Sequence, residues 1–291
     1  MFKIFLKLSQ PNHLILAALT YTLGTGISHY LGRQLRATSF GLGMLAVLAL
    51  LDAAFLFAEY FRLPLMPLEQ GETPRHRELF RVTIIQVAFA ALTLSAVATL
   101  TLILTHSLDI YTDLLLILAF FFMVAYAVPP LRLSEAGYGE LVLAVYLGTL
   151  LPGLAFLLQH GRIHRLLTLT TFPLTLLAVA YFLVCNFPTF ATDQKRGRRS
   201  LLSRLTWQNA VPIHHFLILA AFLLFAITPF MNYPWGLIWP VFLVLPFAAI
   251  QIFWLQHIAS GGRTLWTFLD LLANATFGLT VYLLTLTFWI R

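Results

Sequence analysis

Nine apolar runs, near residues 12–32, 37–61, 79–105, 112–130, 140–159, 168–188, 210–230, 234–257 and 265–290, leave this chain few folds to choose from. A helix needs about 20 apolar residues to cross the hydrocarbon core of a bilayer, and every run is close to that length. Within lipid each backbone N–H and C=O has to be satisfied inside the segment or its bundle, which predicts helices. The expected fold is an all-α integral membrane protein: about nine transmembrane helices in a single polytopic bundle over residues 1–291, with a central cavity open near the cytoplasmic face.

Only 10% of the residues are charged, against roughly 25% in a soluble domain. No linker or low-complexity segment divides the chain. Its single cysteine, Cys185, excludes an intrachain disulfide and a cysteine-based zinc site, and its place in an apolar helix predicts packing. Lys3 and Lys7 precede an apolar stretch that runs too long for a signal peptide and lacks a small-residue cleavage site, so that stretch is expected to remain as the first helix.

The net charge of +7 comes without a basic face or an aromatic reading surface, which excludes nucleic acid as a partner and leaves the lipid bilayer. Lys3, Lys7, Arg62, Arg75, Arg77, Arg81, Arg132, Lys195, Arg196, Arg198, Arg199, Arg204 and Arg263 fall on one side of the predicted helices. Arg33, Arg36, Arg162, Arg165 and Arg291 fall on the other. The positive-inside rule then puts the N-terminus and the ends of the even-numbered helices in the cytoplasm.

Topology accounts for the basic loops but not for their acidic neighbours. The second run ends in LLDAAFLFAEYFR, where Asp52 and Glu59 stand two helical turns apart on one face. Carboxylates in so apolar a helix are costly unless they meet a polar cavity, a partner or a metal, which makes them candidate functional groups. The sixth run exits through CNFPTFATDQKRGRRSLLSR, in which Asn186 and Asp193 repeat the seven-residue spacing and five cations follow. An acid and an amide at a helix end, followed by a dense basic loop, suit a metal-bound polyanion.

A third segment, AYAVPPLRLSEAGYGELVLAVYLG, leaves the fourth run. Pro129 and Pro130 end the helix, Gly137 and Gly139 allow a turn, Tyr126 sits about one turn inside the membrane, and Arg132 and Tyr138 emerge beyond it. Topology alone brings these three segments to one mouth. Among weaker signals, His160 and His164 fall on the opposite face and read as a solvated loop, while His214 and His215 open the seventh helix. Asp270, with Asn274 one turn on, reads as a buried polar contact between helices or a support behind the site.

The runs SQPNHLILAALTYTLGTG, PPLRLSEAGYGEL and NFPTFATDQKRGRRSLLSRL resemble the UbiA-type intramembrane prenyltransferase superfamily, closest to its menaquinone branch that prenylates dihydroxynaphthoate. The resemblance covers the chain nearly end to end. It implies two aspartate-rich motifs that bind Mg²⁺ and, through it, a prenyl diphosphate, with transfer to an aromatic or quinone-precursor acceptor.

Carried onto this sequence, Asp52, Glu59 and Asp193 become the catalytic carboxylates and, with Asn186, the metal ligands. Arg75, Arg77, Arg132, Lys195 and Arg199 would bind diphosphate, and Tyr126, Tyr138 and Asn186 would contact the acceptor or support the residues that do. Two motif carboxylates are replaced by other side chains here, by Phe55 in the middle of the first motif and by Thr189 at the leading position of the second, and Leu51 stands at the first motif's leading asparagine position. Ser134 and Gln10 stand where the family often has lysine and arginine. Two expectations follow: an enzyme with a reduced ligand set, or a catalytically impaired UbiA-like subunit that binds isoprenoid or lipid. A transporter is a third and weaker reading, because no substrate-sized polar stripe spans the predicted helices.

Overall fold

The computed structural model describes residues 8–62, 74–105, 108–195 and 197–291. The nine apolar runs form nine long helices among them: α1 (Pro11–Tyr30), α2 (Ala37–Arg62), α3 (Pro74–Thr105), α4 (Ile110–Ala127), α5 (Gly139–His160), α6 (Arg165–Cys185), α7 (Trp207–Met231), α8 (Trp235–Ala259) and α9 (Trp266–Ile290). Eight of these, α2 to α9, contain segments long and apolar enough to cross a membrane. The 20 residues of α1 are more polar, yet Thr20, Thr25 and Ser28 are buried there. The Thr20 hydroxyl returns its hydrogen bond to the carbonyl of Ala17 at 3.0 Å, and Thr22 does the same to Ala18 at 2.8 Å. Backbone carbonyls of the same helix thus satisfy these two hydroxyls, while those of Thr25 and Ser28 have no hydrogen-bond partner among the described residues.

Most of α5 is enclosed, 83% of its apolar window against 22% for α3, so α5 runs through the centre and α3 along the edge. Close approach makes this possible: at Gly24 on α1 a β-carbon would collide with the backbone of Pro152 on α5. The α5 helix widens to a π turn at Tyr146–Leu150, just before Pro152, which has no N–H to continue the ladder. From that turn the Tyr146 hydroxyl donates to the carbonyl of Val47 on α2 at 3.0 Å.

The ends of α2, α4 and α6 and the starts of α1 and α5 supply the residues of one polar region. Val128, Pro129 and Pro130 stop α4 at Ala127, and a single helical turn, Leu133–Ala136, leads to α5. The α6 helix stops at Cys185, three residues before the end expected from hydrophobicity. Its last turn tightens as the N–H groups of Asn186 and Phe187 bond three residues back, and Pro188 has none to offer. A short helix, Phe190–Lys195, follows, then a second, Leu201–Leu205, whose start is closed by reciprocal bonds between Ser200 and Ser203.

Candidate functional site

On α2 the two carboxylates have different surroundings. Glu59 accepts a hydrogen bond from Arg62 one turn on, and the Arg81 guanidinium of α3 lies over the Tyr60 ring, 4.9 Å from its centre. Asp52 sits two turns deeper with Ser9 beside it. One of its oxygens, Oδ1, is buried and has no hydrogen-bond partner among the described residues. An ionised oxygen left so in an apolar helix costs several kcal/mol relative to a partnered one.

The α6 exit is internally bonded. Asn186 closes the helix and donates to the Phe182 carbonyl at 2.9 Å and to Glu140 Oε1 at 2.8 Å. Glu140, in the first turn of α5, also accepts the backbone N–H of Leu201 at 3.1 Å, so one carboxylate ties α5, the α6 exit and the basic loop together. Asp193 is buried on the short helix Phe190–Lys195 rather than on α6. Thr189 donates to its Oδ2 at 2.9 Å, and Arg198 approaches its Oδ1 at 3.6 Å.

Tyr126 holds its hydroxyl in the field of Glu59 and Arg62 of α2 and of Glu140 and Arg198 of the α5 start and basic loop. Its ring meets Phe55 edge to face at 6.1 Å, and Phe55 meets His13 of α1 at 5.9 Å. His13 in turn contacts Phe182 at 5.1 Å and Tyr181 at 5.7 Å. Phe55, which fills a ligand position of the first motif, is therefore the middle of an aromatic chain running from α1 to α4 and α6.

The remaining expected residues lie further out. Arg132 pairs with Glu135 at 2.6 Å, Lys195 is exposed at the end of the short helix Phe190–Lys195, and Arg199 is exposed on the loop. Tyr138 is exposed under the Arg204 guanidinium, 4.2 Å from its ring centre. The Arg75 and Arg77 side chains lie outside the described residues, as does Arg196. Sequence reasoning missed two side chains. Arg198 turns inward because Gly197, at φ 70°, reverses the chain after the short helix and lets the Arg198 N–H bond the Asp193 carbonyl; the glycine was the available signal. Glu140 appeared in a motif, but nothing local pointed to partners 46 and 61 residues away.

The donors here are carboxylate and amide oxygens, which suit a hard cation such as Mg²⁺; Asp52 Oδ1 and Glu140 Oε2 are buried without a hydrogen-bond partner among the described residues. Among the described residues no three His, Cys, Asp or Glu side chains gather closely enough to hold an ion by themselves. The set fits a cation that brings part of its own shell, as Mg²⁺ does with waters and phosphate. A cavity of ≈ 590 Å³ and another of ≈ 280 Å³ lie elsewhere, between α2, α3 and α4, on the face of α2 turned away from Asp52 and Glu59.

A profile of the UbiA prenyltransferase family matches residues 72–277. No curated protein matches the sequence. Among solved structures, digeranylgeranylglyceryl phosphate synthase in membranes superposes with a TM-score of 0.65 at 13% identity, over 100% of this chain and 99% of that one. A UbiA homolog from Archaeoglobus fulgidus bound to GPP and Mg²⁺ gives 0.64 at 14% identity, over 96% and 99%. The same description bound to DMAPP and Mg²⁺ gives 0.64 at 16%, over 96% and 98%. At these identities the likeness is one of fold.

Proposed function

The chain belongs to the UbiA prenyltransferase family, and on that premise we propose that it is an intramembrane prenyltransferase moving a prenyl group from a prenyl diphosphate to an aromatic, quinone-precursor acceptor. The observation that carries this reading is the mouth itself: two acid-and-arginine pairs, Glu59 with Arg62 at the end of α2 and Asp193 with Arg198 at the α6 exit, whose arginines both bear on Tyr126. The fold neighbours that bind GPP or DMAPP with Mg²⁺ support it. The excess of Lys and Arg on this side of the helices supports a cytoplasmic N-terminus and mouth.

In this reading Asp52, Glu59, Asn186 and Asp193 would hold Mg²⁺. When bound, the cation screens the diphosphate and favours its departure as a leaving group. Arg198 leads the protein's own contribution of positive charge, with Arg75, Arg77, Arg132, Lys195 and Arg199 around it. Phe55, Tyr126 and Phe182 exclude water from the allylic carbon, and ring faces stabilise positive charge developing there. Glu140 positions the loop through Leu201 and Asn186 rather than touching substrate.

A second reading, an isoprenoid-binding membrane subunit without turnover, is favoured by Phe55, whose ring fills a ligand position and is 1% exposed. One experiment separates the two. Purified protein in lipid nanodiscs receives Mg²⁺, radiolabelled farnesyl or geranylgeranyl diphosphate and a panel of hydroxybenzoate and dihydroxynaphthoate acceptors. Labelled product that disappears with Asp52→Ala and with Asp193→Ala supports transfer. Tight diphosphate binding with no product from any acceptor sinks it in favour of the subunit.

A further inference from the structure

We propose that the slot on the outer face of α2, between α3 and α4, binds a membrane lipid whose head carries a primary ammonium, and that Asp113 recognises that head. The ≈ 590 Å³ and ≈ 280 Å³ cavities share Leu50 and Leu92, so they are two parts of one slot. Packing explains it: α3 and α4 both lie on α2 but barely touch each other, although only residues 106–109 connect them. Small side chains on the α2 side, Ala46, Ala53 and Ala54, leave the gap unfilled. From Ala46 to Phe61 the slot follows α2 for about four turns, or about 22 Å. That is most of the roughly 30 Å hydrocarbon core of a bilayer, a length that suits an extended chain rather than a compact solute.

The lining defines the rest of the occupant. It is apolar throughout except for Ser95, Thr99 and Asp113. The Ser95 hydroxyl is already given to the Ala46 carbonyl at 2.7 Å. Asp113, the one charged residue in the lining, is half-buried in the first turn of α4, at the end of the bundle opposite the mouth. The start of a helix favours an acid, but the Asp113 carboxylate forms no ion pair among the described residues. Asp109, one turn earlier, makes no side-chain cap bond either. An unpaired carboxylate at the head of a greasy slot complements a cation carried on a hydrocarbon chain. A primary ammonium brings both the charge and the N–H donors a carboxylate accepts, whereas choline brings the charge alone and a glycerol phosphate head is an anion. Because α2 stands between the slot and the carboxylates of the mouth, the site does not depend on the transferase reading.

The test is lipid retention by the full chain. Protein is reconstituted in nanodiscs holding equal parts of phosphatidylethanolamine, phosphatidylcholine and phosphatidylglycerol with the same acyl chains, released into mild detergent and weighed by native mass spectrometry. The wild type is expected to keep phosphatidylethanolamine over the other two about 3- to 10-fold, the scale of a hydrogen-bonded ion pair that water partly screens. Asp113→Asn is expected to keep a lipid but lose the preference. Ala96→Phe, which fills the slot from an exposed position on α3, is expected to lose the lipid, with both variants melting as the wild type does. Equal retention of the three heads by the wild type overturns the assignment, as do an unchanged preference in Asp113→Asn and unchanged retention in Ala96→Phe. A lipid-free dimer that Ala96→Phe disperses would give the slot to a second copy of the chain, and displacement of the lipid by farnesyl diphosphate would give it to the prenyl donor; either result also overturns it.

Discussion

The two halves of the mouth are alike in sequence spacing and opposite in build. On α2 the helix is unbroken through Arg62, Asp52 keeps a bare oxygen, and a phenylalanine fills the middle position. At the α6 exit the helix ends before its acid appears, and Asp193 is buried in a lattice of bonds from Thr189, Arg198 and the Gly197 turn. One half is rigid because it is helix, and the other because it is hydrogen-bonded. The difference teaches that matching positions in a duplicated pattern have separate structural duties, so they should respond differently to the same change.

The sharpest way to break the comparison is Phe55→Asp, which restores a carboxylate to the first motif. The ring is 1% exposed and contacts His13 and Tyr126. Removing a buried phenylalanine costs about 3–5 kcal/mol before any charge is buried in its place. The expected result is a protein that is extracted poorly or melts well below the wild type in nanodiscs; a variant with the wild-type melting temperature and normal prenyl transfer would show that Phe55 is a lost ligand and not a packing residue.

Next come the two acids themselves. Asp52→Ala and Asp193→Ala are each expected to slow prenyl transfer about 10²- to 10³-fold, the usual effect of removing one preorganised electrostatic contact. Their stabilities should diverge. Asp52→Ala removes a carboxylate with one buried, unpartnered oxygen from a membrane helix and should leave the melting temperature unchanged or higher. Asp193→Ala leaves the half-buried Arg198 without its carboxylate, at about 1–3 kcal/mol. Rate assays paired with melting curves check both halves, and equal destabilisation by the two variants would erase the contrast.

Glu140→Ala sharpens the picture of the bonded half. It leaves two donors, Asn186 Nδ2 and the Leu201 N–H, without their shared acceptor, for an expected loss of about 2–3 kcal/mol. Because Glu140 positions the loop, the KM for prenyl diphosphate should rise about tenfold at a kcat within a factor of about three. Glu140→Gln, which keeps one carbonyl oxygen, should recover most of both. A fall in kcat alone would instead put Glu140 in contact with the reacting groups.

What could be read from the chain follows from how local each cause is. Hydrophobic length placed the helices within a few residues, eight of them long and apolar enough to cross a membrane among the described residues, and the α6 overrun came from counting Asn186 to Pro188 as helix although Pro188 cannot extend one. Asp52 and Glu59 were legible because both lie on one continuous helix, where spacing sets the face. Asp193 was found by its neighbours, but not its burial, since its short helix is oriented by contacts with Arg198 and Thr189. The choice of Arg198 over Arg199 and Lys195 as the inward cation depends on one glycine turn. The partners of Glu140 depend on tertiary packing, which leaves no mark in the pattern.

The smallest effect tests the comparison most directly. Thr189 fills the leading position of the second motif as Phe55 fills a middle position of the first, yet it is exposed and touches Asp193 through a single hydroxyl bond. Thr189→Asp loses that bond and sets a second acid near Asp193, partly offset by Arg198, so its cost should stay within about 1 kcal/mol. A carboxylate added there is an oxygen donor on the side of the mouth that would hold Mg²⁺, and the half-saturating Mg²⁺ concentration in the transfer assay should fall several-fold. The melting temperature should barely move. If Thr189→Asp instead collapses the protein as Phe55→Asp is expected to, the two positions are equivalent and the α6 half is no better adapted to a ligand than the α2 half. If it folds normally but leaves the Mg²⁺ dependence where it was, the metal does not approach Asp193 from the Thr189 side, and Asp52 and Glu59 are left as the principal ligands.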